Sequence, residues 1–129
     1  QYGQSIVIDD SYNANYDGFC AALDVLSTFP SEKKRIVITR GIPELGQKSE
    51  ELHQKLGEEI AYVADALIVI DKNNAAALRR GAEGKYNMEV ELIEDTKELL
   101  RYCRGLRDAA SVILIENRVA APIIDELFK

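Results

Sequence analysis

Apolar and polar positions follow two rhythms along this chain. Short runs rich in Val, Ile and Leu recur at Ser5–Ile8, Arg35–Thr39, Ala66–Ile70, Val90–Ile93 and Ser111–Ile115. Their nearly continuous apolar character is that of strands buried on both faces of a parallel sheet. Between them, apolar residues fall three and four apart. Asp17–Thr28 places Phe19, Ala22, Leu23 and Leu26 on one helical face, with Pro30 just beyond its end. Ser49–Val63 does the same with Leu52, Leu56, Ile60 and Val63. Asn74–Gly81 is short and alanine-rich, and Gly81 reads as its stop. Thr96–Leu106 carries Leu99, Leu100, Cys103 and Leu106 behind an Asp95-Thr96 cap. Ala120–Phe128 closes the pattern, with Pro122 tolerated in a first helical turn. Strands and helices alternating over 129 residues predict a single domain, residues 1–129. The expected fold is α/β and doubly wound, a mostly parallel sheet of five to six strands flanked by helices.

Charge narrows the class of partner. Acidic residues outnumber basic ones 22 to 16, and the net charge of −6 argues against a general nucleic-acid surface. The only basic clusters, Lys33-Lys34-Arg35 and Arg79-Arg80, flank predicted elements and read as solvated. No apolar run reaches the ~18 residues of a membrane span. No basic leader with an apolar stretch opens the sequence, so a cytoplasmic location and no membrane partner are expected. Cys20 and Cys103 lack CxxC partners and read as core-facing residues of a reducing compartment.

The polar cluster Asp9-Asp10-Ser11-Tyr12-Asn13-Ala14-Asn15 directly follows the apolar Ile6-Val7-Ile8 and precedes a helix. Strand ends that turn into helices line the ligand crevice of open α/β sheets. Turn formation and helix capping account for two or three of these residues, not for all of them. A second irregular stretch, Arg40 to Gln47, also lies at a strand's carboxyl end. Neither GxxxxGK[ST] nor GxGxxG occurs, so the chain has no loop of its own for gripping a triphosphate. His53, the single histidine, reads as a surface or satisfied interior residue rather than a catalytic base. Glu50, Glu51, Glu58 and Glu59 read as a solvated helix face with partners such as Lys55. Glu94-Asp95 serves a helix cap or a metal, the cap being favoured, and no zinc ligand set is present.

The stretch Ile8-Asp9-Asp10-Ser11-Tyr12-Asn13-Ala14-Asn15 resembles the opening of the C-terminal domain of Mur ligases, in the branch that adds D-alanyl-D-alanine. Ala21-Ala22-Leu23-Asp24-Val25-Leu26 is similar to that family's next helix. Glu44-Leu45-Gly46 with Ser49-Glu50-Glu51-Leu52-His53 is similar to its ELG…SE..H segment. The resemblance implies a Rossmann-like domain, the last of three. An N-terminal domain binds the UDP-sugar peptide, and a central ATPase domain holds the phosphate loop and most contacts to Mg2+. The implied reaction is ATP-dependent amide formation through an acyl phosphate. This domain closes over ATP and presents the amine, with no catalytic residue of its own. On this resemblance Asp10 (or Asp9) accepts hydrogen bonds from the ribose hydroxyls, and Asn13 and Asn15 contact the nucleotide or the loop. Tyr12 either stacks on the base or packs beneath the loop. At the end of the last strand the family carries Lys-Gly-Ser-Arg, whereas this chain has Glu116-Asn117-Arg118. Arg118 corresponds to the family's arginine and is a candidate substrate contact. The family's aspartate before the ELG segment has no evident counterpart in Thr39-Arg40-Gly41-Ile42-Pro43, and Arg40 in that stretch is a candidate for binding an anion. The charge inversion at Glu116 keeps two alternatives open: a non-catalytic binding module, or a related ligase with a different amine substrate.

Overall fold

The computed structural model describes residues 1–84 and 88–129. Strands β1 (Ile6–Asp10), β2 (Arg35–Thr39), β3 (Ala66–Val69), β4 (Glu89–Leu92) and β5 (Val112–Glu116) form one sheet in the order β1-β5-β2-β3-β4. Every pairing is parallel. The helices are α1 (Tyr16–Ser27), α2 (Ser49–Val63), α3 (Lys72–Ala82), α4 (Thr96–Gly105) and α5 (Ala121–Leu127), with a 3-10 turn at Gly46–Lys48 leading into α2.

Side-chain alternation splits the core into two layers. Ile36, Ile38, Ala66, Ile68, Ile113 and Ile115 pack against Leu99, Cys103 and Leu106 of the α4 region and Ile123 and Leu127 of α5. Val37, Leu67, Val69, Val112 and Leu114 face the other way, onto Phe19, Leu23 and Leu26 of α1, Leu56 and Ile60 of α2, and Leu78 of α3. A single crossover hand explains this division. The steps from β1 to β4 run one way along the sheet with their helices on one face. The return from β4 to β5 runs back, so α4 lies on the opposite face. The last strand therefore inserts between β1 and β2, which makes its carboxyl end the point where strand order reverses.

The sequence pattern located each element to within a few residues. β1 runs on through Asp9 and Asp10, because its ladder with β5 pairs Asp9 with Ile115 and Asp10 with Glu116 regardless of side-chain polarity. β4 is an edge strand with Glu91 and Leu92 exposed, not a strand buried on both faces. β1 occupies the opposite edge and is likewise only half covered. Gly81 does not stop α3, which continues through Ala82. Arg35 is not simply solvated: its guanidinium donates to the carbonyls of Ser27, Phe29 and Val63, satisfying groups left open where α1 and α2 end. Cys103 is fully buried, whereas Cys20 is only half-buried, and both are free thiols. Glu50 pairs with Arg80 across to α3, while Lys55 lies over the Tyr16 ring.

Candidate site at the carboxyl edge of the sheet

Three strand ends meet in one row. Asp10 of β1 pairs in register with Glu116 of β5, and Glu116 with Thr39 of β2. Since Val37, Leu114 and Val112 point towards the helix layer of α1 to α3, two-residue alternation sends Thr39, Glu116 and Asp10 to that same side. Two carboxyl groups thus stand next to each other at the reversal point, where ligands of open α/β sheets bind.

Glu116 is only 1% exposed and Asp10 9%. Asp10 Oδ2 and both Glu116 carboxyl oxygens have no hydrogen-bond partner among the described residues. Burial, then the adjoining Asp10 carboxyl, push Glu116 up to about 10. Desolvation and the carboxyl beside it disfavour a second negative charge here, so Glu116 retains its proton at neutral pH.

The loops around the row are fastened by specific bonds. Asn117 takes the left-handed conformation (φ 70°), which asparagine tolerates better than most residues. Its amide donates to the Gly41 carbonyl at 2.8 Å, and its side-chain oxygen accepts the Arg118 N–H at 2.7 Å. Asn74 at the start of α3 donates to the Arg40 carbonyl at 2.7 Å. Gly41 (φ +92°) fits beneath these groups, since a Cβ there would lie 2.5 Å from the Asn74 amide and 2.8 Å from His53 Nε2. His53 is the satisfied interior residue its sequence context suggested. Its Nε2 accepts the Ile42 N–H at 2.9 Å, so the proton sits on Nδ1, which donates to the Ser49 carbonyl at 2.7 Å.

Burial holds His53 below its usual value. The unfolded chain therefore takes up this proton first, and the stability His53 contributes is present above about pH 6.5 and lost as pH falls. Chemical denaturation of wild type and His53→Gln should show a stability gap that narrows from pH 7 to pH 5. A gap that stays constant would contradict a neutral buried imidazole.

The expected ligand residues divide between structural and open roles. Asn15 is the N-cap of α1, its oxygen accepting the Gly18 N–H at 2.7 Å. Asp9 accepts the Ser11 N–H at 3.0 Å and closes the turn, but its side chain stays exposed. Asn13 is half-buried against Gly18, where any Cβ would meet its amide. Asp10 faces Glu116 and does not stand free for a ribose. Tyr12 does not pack beneath the loop; it is 84% exposed. Arg40 is half-buried and Arg118 exposed, and neither guanidinium has a carboxylate partner among the described residues. One ring and two unpaired cations therefore flank the carboxyl edge. This chemistry suits a base and anionic groups. No group of three or more His, Cys, Asp or Glu that could hold a metal ion stands together among the described residues. Asp95 caps α4 by accepting the Lys97 N–H, and Glu94 accepts the Lys72 N–H.

Sequence reasoning missed Asn74 and Asn117 as loop fasteners and the pairing of Glu116 with Asp10. An asparagine directly after a strand was the available signal for Asn117. The acid pair depends on β5 inserting beside β1, which no local pattern reports.

Comparison with known proteins gives a consistent assignment. The family model described as "Mur ligase, glutamate ligase domain" matches residues 1–116. The UDP-N-acetylmuramoyl-tripeptide–D-alanyl-D-alanine ligase of Haemophilus influenzae is 35% identical over 81 residues, which is 63% of this chain and 17% of that protein. The ligase of the same name from Escherichia coli K12 is 31% identical over 97 residues, 74% of this chain and 21% of that protein. Its Synechocystis counterpart is 32% identical over 87 residues, 65% of this chain and 19% of that protein. Among solved structures, MurF from Acinetobacter baumannii superposes with a TM-score of 0.75 at 25% identity, over 100% of this chain and 29% of that one. MurF ligase from Thermotoga maritima in complex with ADP gives 0.76 at 23% identity, over 99% and 28%. The chain spans about one fifth of the length of the curated relatives it matches.

Proposed function

Since the chain belongs to the Mur ligase family, as its C-terminal, glutamate ligase domain, we propose that it is the closing domain of an ATP-dependent amide ligase. The full-length enzyme adds D-alanyl-D-alanine to a UDP-N-acetylmuramoyl peptide in cytoplasmic peptidoglycan precursor synthesis. The observation that carries this reading is the likeness to three ligases of that name at 31 to 35% identity, on a chain whose open polar groups gather at one sheet edge. The partners are the central ATPase domain and the N-terminal UDP-sugar domain of the same protein.

The chemistry divides accordingly. ATP transfers its γ-phosphoryl group to the carboxylate of the sugar peptide and leaves as ADP, and the free amine attacks the resulting acyl phosphate, forming the amide and releasing phosphate and a proton. Mg2+ is held by residues outside this chain. The contribution of this domain is positional: closure brings nucleotide and amine to one place and excludes water. Tyr12 stacks on the adenine, and the exposed Asp9, rather than Asp10, accepts from the ribose hydroxyls. Asn13 and the free amide of Asn15 border the nucleotide. Arg40 and Arg118 face phosphate or substrate carboxylate. Base stacking on an aromatic ring is worth about 1–3 kcal/mol. Tyr12→Ala in the full-length enzyme should therefore raise the KM for ATP by about tenfold while leaving that for the dipeptide unchanged. An unaltered KM for ATP would remove Tyr12 from the nucleotide site.

Glu116 supports a second reading, a ligase of the same class with a different amine substrate. Its carboxyl group stands where the family pattern places a lysine. Steady-state rates with a panel of amino acids and dipeptides separate the two.

A further inference from the structure

We infer that the Asp10–Glu116 carboxyl pair is a receptor for a primary ammonium group. The two residues pair in register on adjacent parallel strands. Both are more than nine-tenths buried, yet apart from each other's carboxyl group Asp10 Oδ2 and Glu116 Oε1 and Oε2 receive no hydrogen bond from any described residue. Thr39, next in the row, accepts the Gly41 N–H and donates to neither acid. Buried acceptors left unpaired in this way are rare, because each forfeits its hydration without return.

The chemistry of the pair defines the group it would receive. A primary ammonium brings three N–H donors, no acceptor and one positive charge. The proton that Glu116 retains bonds it to Asp10, and the remaining carboxyl oxygens of the two side chains keep acceptor capacity that no other described residue fills. With one proton retained at neutral pH, the pair bears a single negative charge, which one ammonium neutralises. A divalent cation suits the site less well. It takes about six or more oxygen ligands and would have to expel the shared proton, and among the described residues no group of three or more His, Cys, Asp or Glu is arranged to hold one. Arg40 and Arg118 lie on the flanking loops and are not paired with either carboxylate. The oxygens are screened from solvent, and β1 and β5 run directly into the Ser11–Asn15 turn and the segment after Asn117. Occupancy therefore requires those two segments to part, at the same edge that carries Tyr12, Arg40 and Arg118.

Two sources share this chemistry: the amine consumed in amide formation, and a lysine side chain from elsewhere in the full-length protein. Only the first rests on the proposed reaction. The test is carboxyl 13C NMR of this chain, with Glu116 assigned by comparison with Glu116→Gln. The probes are methylammonium, D-alanyl-D-alanine and, as the ammonium-free control, N-acetyl-D-alanyl-D-alanine. Both ammonium compounds should shift the Glu116 and Asp10 carboxyl signals saturably, and the acetylated dipeptide should not. Glu116→Gln should weaken methylammonium binding at least tenfold while keeping a native amide spectrum. In a second arm, carbodiimide treatment of the full-length protein followed by mass spectrometry looks for an amide bond between Glu116 and a lysine, which would assign the receptor to the internal source. Shifts with methylammonium but not with the dipeptide would keep the receptor and count against the proposed substrate. If neither amine moves the Glu116 signal and no Glu116–lysine bond forms, the receptor is overturned whatever the ligase activity.

Discussion

Replacing Gly81 by alanine should destabilise the domain by about 2–3 kcal/mol, although the same exchange in an exposed helix gains about 1 kcal/mol. The reversal comes from how α2 and α3 pack. A Cβ on Gly81 would lie 1.9 Å from the Gln54 carbonyl oxygen and 2.9 Å from the Glu58 nitrogen. In return, a Cβ on Gly57 would lie 2.3 Å from the Leu78 carbonyl oxygen. These obstacles are backbone atoms in helices, which cannot rotate aside as a side chain tip can. The helices must separate, and the layer formed by Leu56, Ile60 and Leu78 loses contact with it. For a domain of this size the loss corresponds to a fall in Tm of about 10 °C. Since both glycines serve one contact, Gly57→Ala with Gly81→Ala should cost less than the sum of the two. Thermal and urea denaturation of the three variants check this. A Gly81→Ala protein as stable as wild type would show that the helices are not so close.

The second large effect concerns Glu116 and pH. Its folded value lies near 10, against an ordinary 4.5, so folding takes up a proton throughout the interval between them. A group raised in this way favours folding fully below its unfolded value and loses that contribution as pH climbs towards the folded one. One proton taken up gives a slope of up to about 1.4 kcal/mol per pH unit. Wild type should therefore lose stability steadily from pH 6.5 to 8.5, and Glu116→Gln should abolish most of that slope and be the more stable protein at pH 8. Below pH 6.5 the buried neutral His53 acts in the opposite sense, so the slope is clearest above it. Cys103, pushed up to about 12 by burial, adds to the decline only near pH 9 and beyond. Urea midpoints of both proteins across this range are the measurement. Parallel curves for wild type and Glu116→Gln would mean that Glu116 is ionised in the folded state.

The sequence made the architecture legible wherever one local rule dominated. Val-rich runs and helical spacing located β2, β3 and β5 and α1, α2 and α4 closely, because those elements are buried on the faces their patterns predict. It misplaced the end of β1, since a parallel ladder carries Asp9 and Asp10 along on backbone bonds alone. It read Gly81 as a stop because a glycine near a helix end looks the same whether it terminates the helix or admits a neighbour. The polar loop stands out as a candidate site from its density of functional groups, but its division of labour does not show in that density. Asn15 serves the α1 cap and Asp9 the turn, while the Tyr12 ring stands open to solvent. Glu116 attracted notice only as a departure from a family pattern. That it meets Asp10 follows from strand order, which depends on the crossover of α4 and not on any residue near the loop.

The central claim, that this chain is the closing domain of a D-alanyl-D-alanine-adding ligase, is tested most directly by phosphate release from the full-length protein. The reaction contains ATP, Mg2+, UDP-N-acetylmuramoyl-tripeptide and D-alanyl-D-alanine, and is repeated with each omitted and with residues 1–129 deleted. The account predicts release that needs all of the substrates and disappears with the deletion. Turnover that persists without this domain, or that ignores the dipeptide, would contradict it.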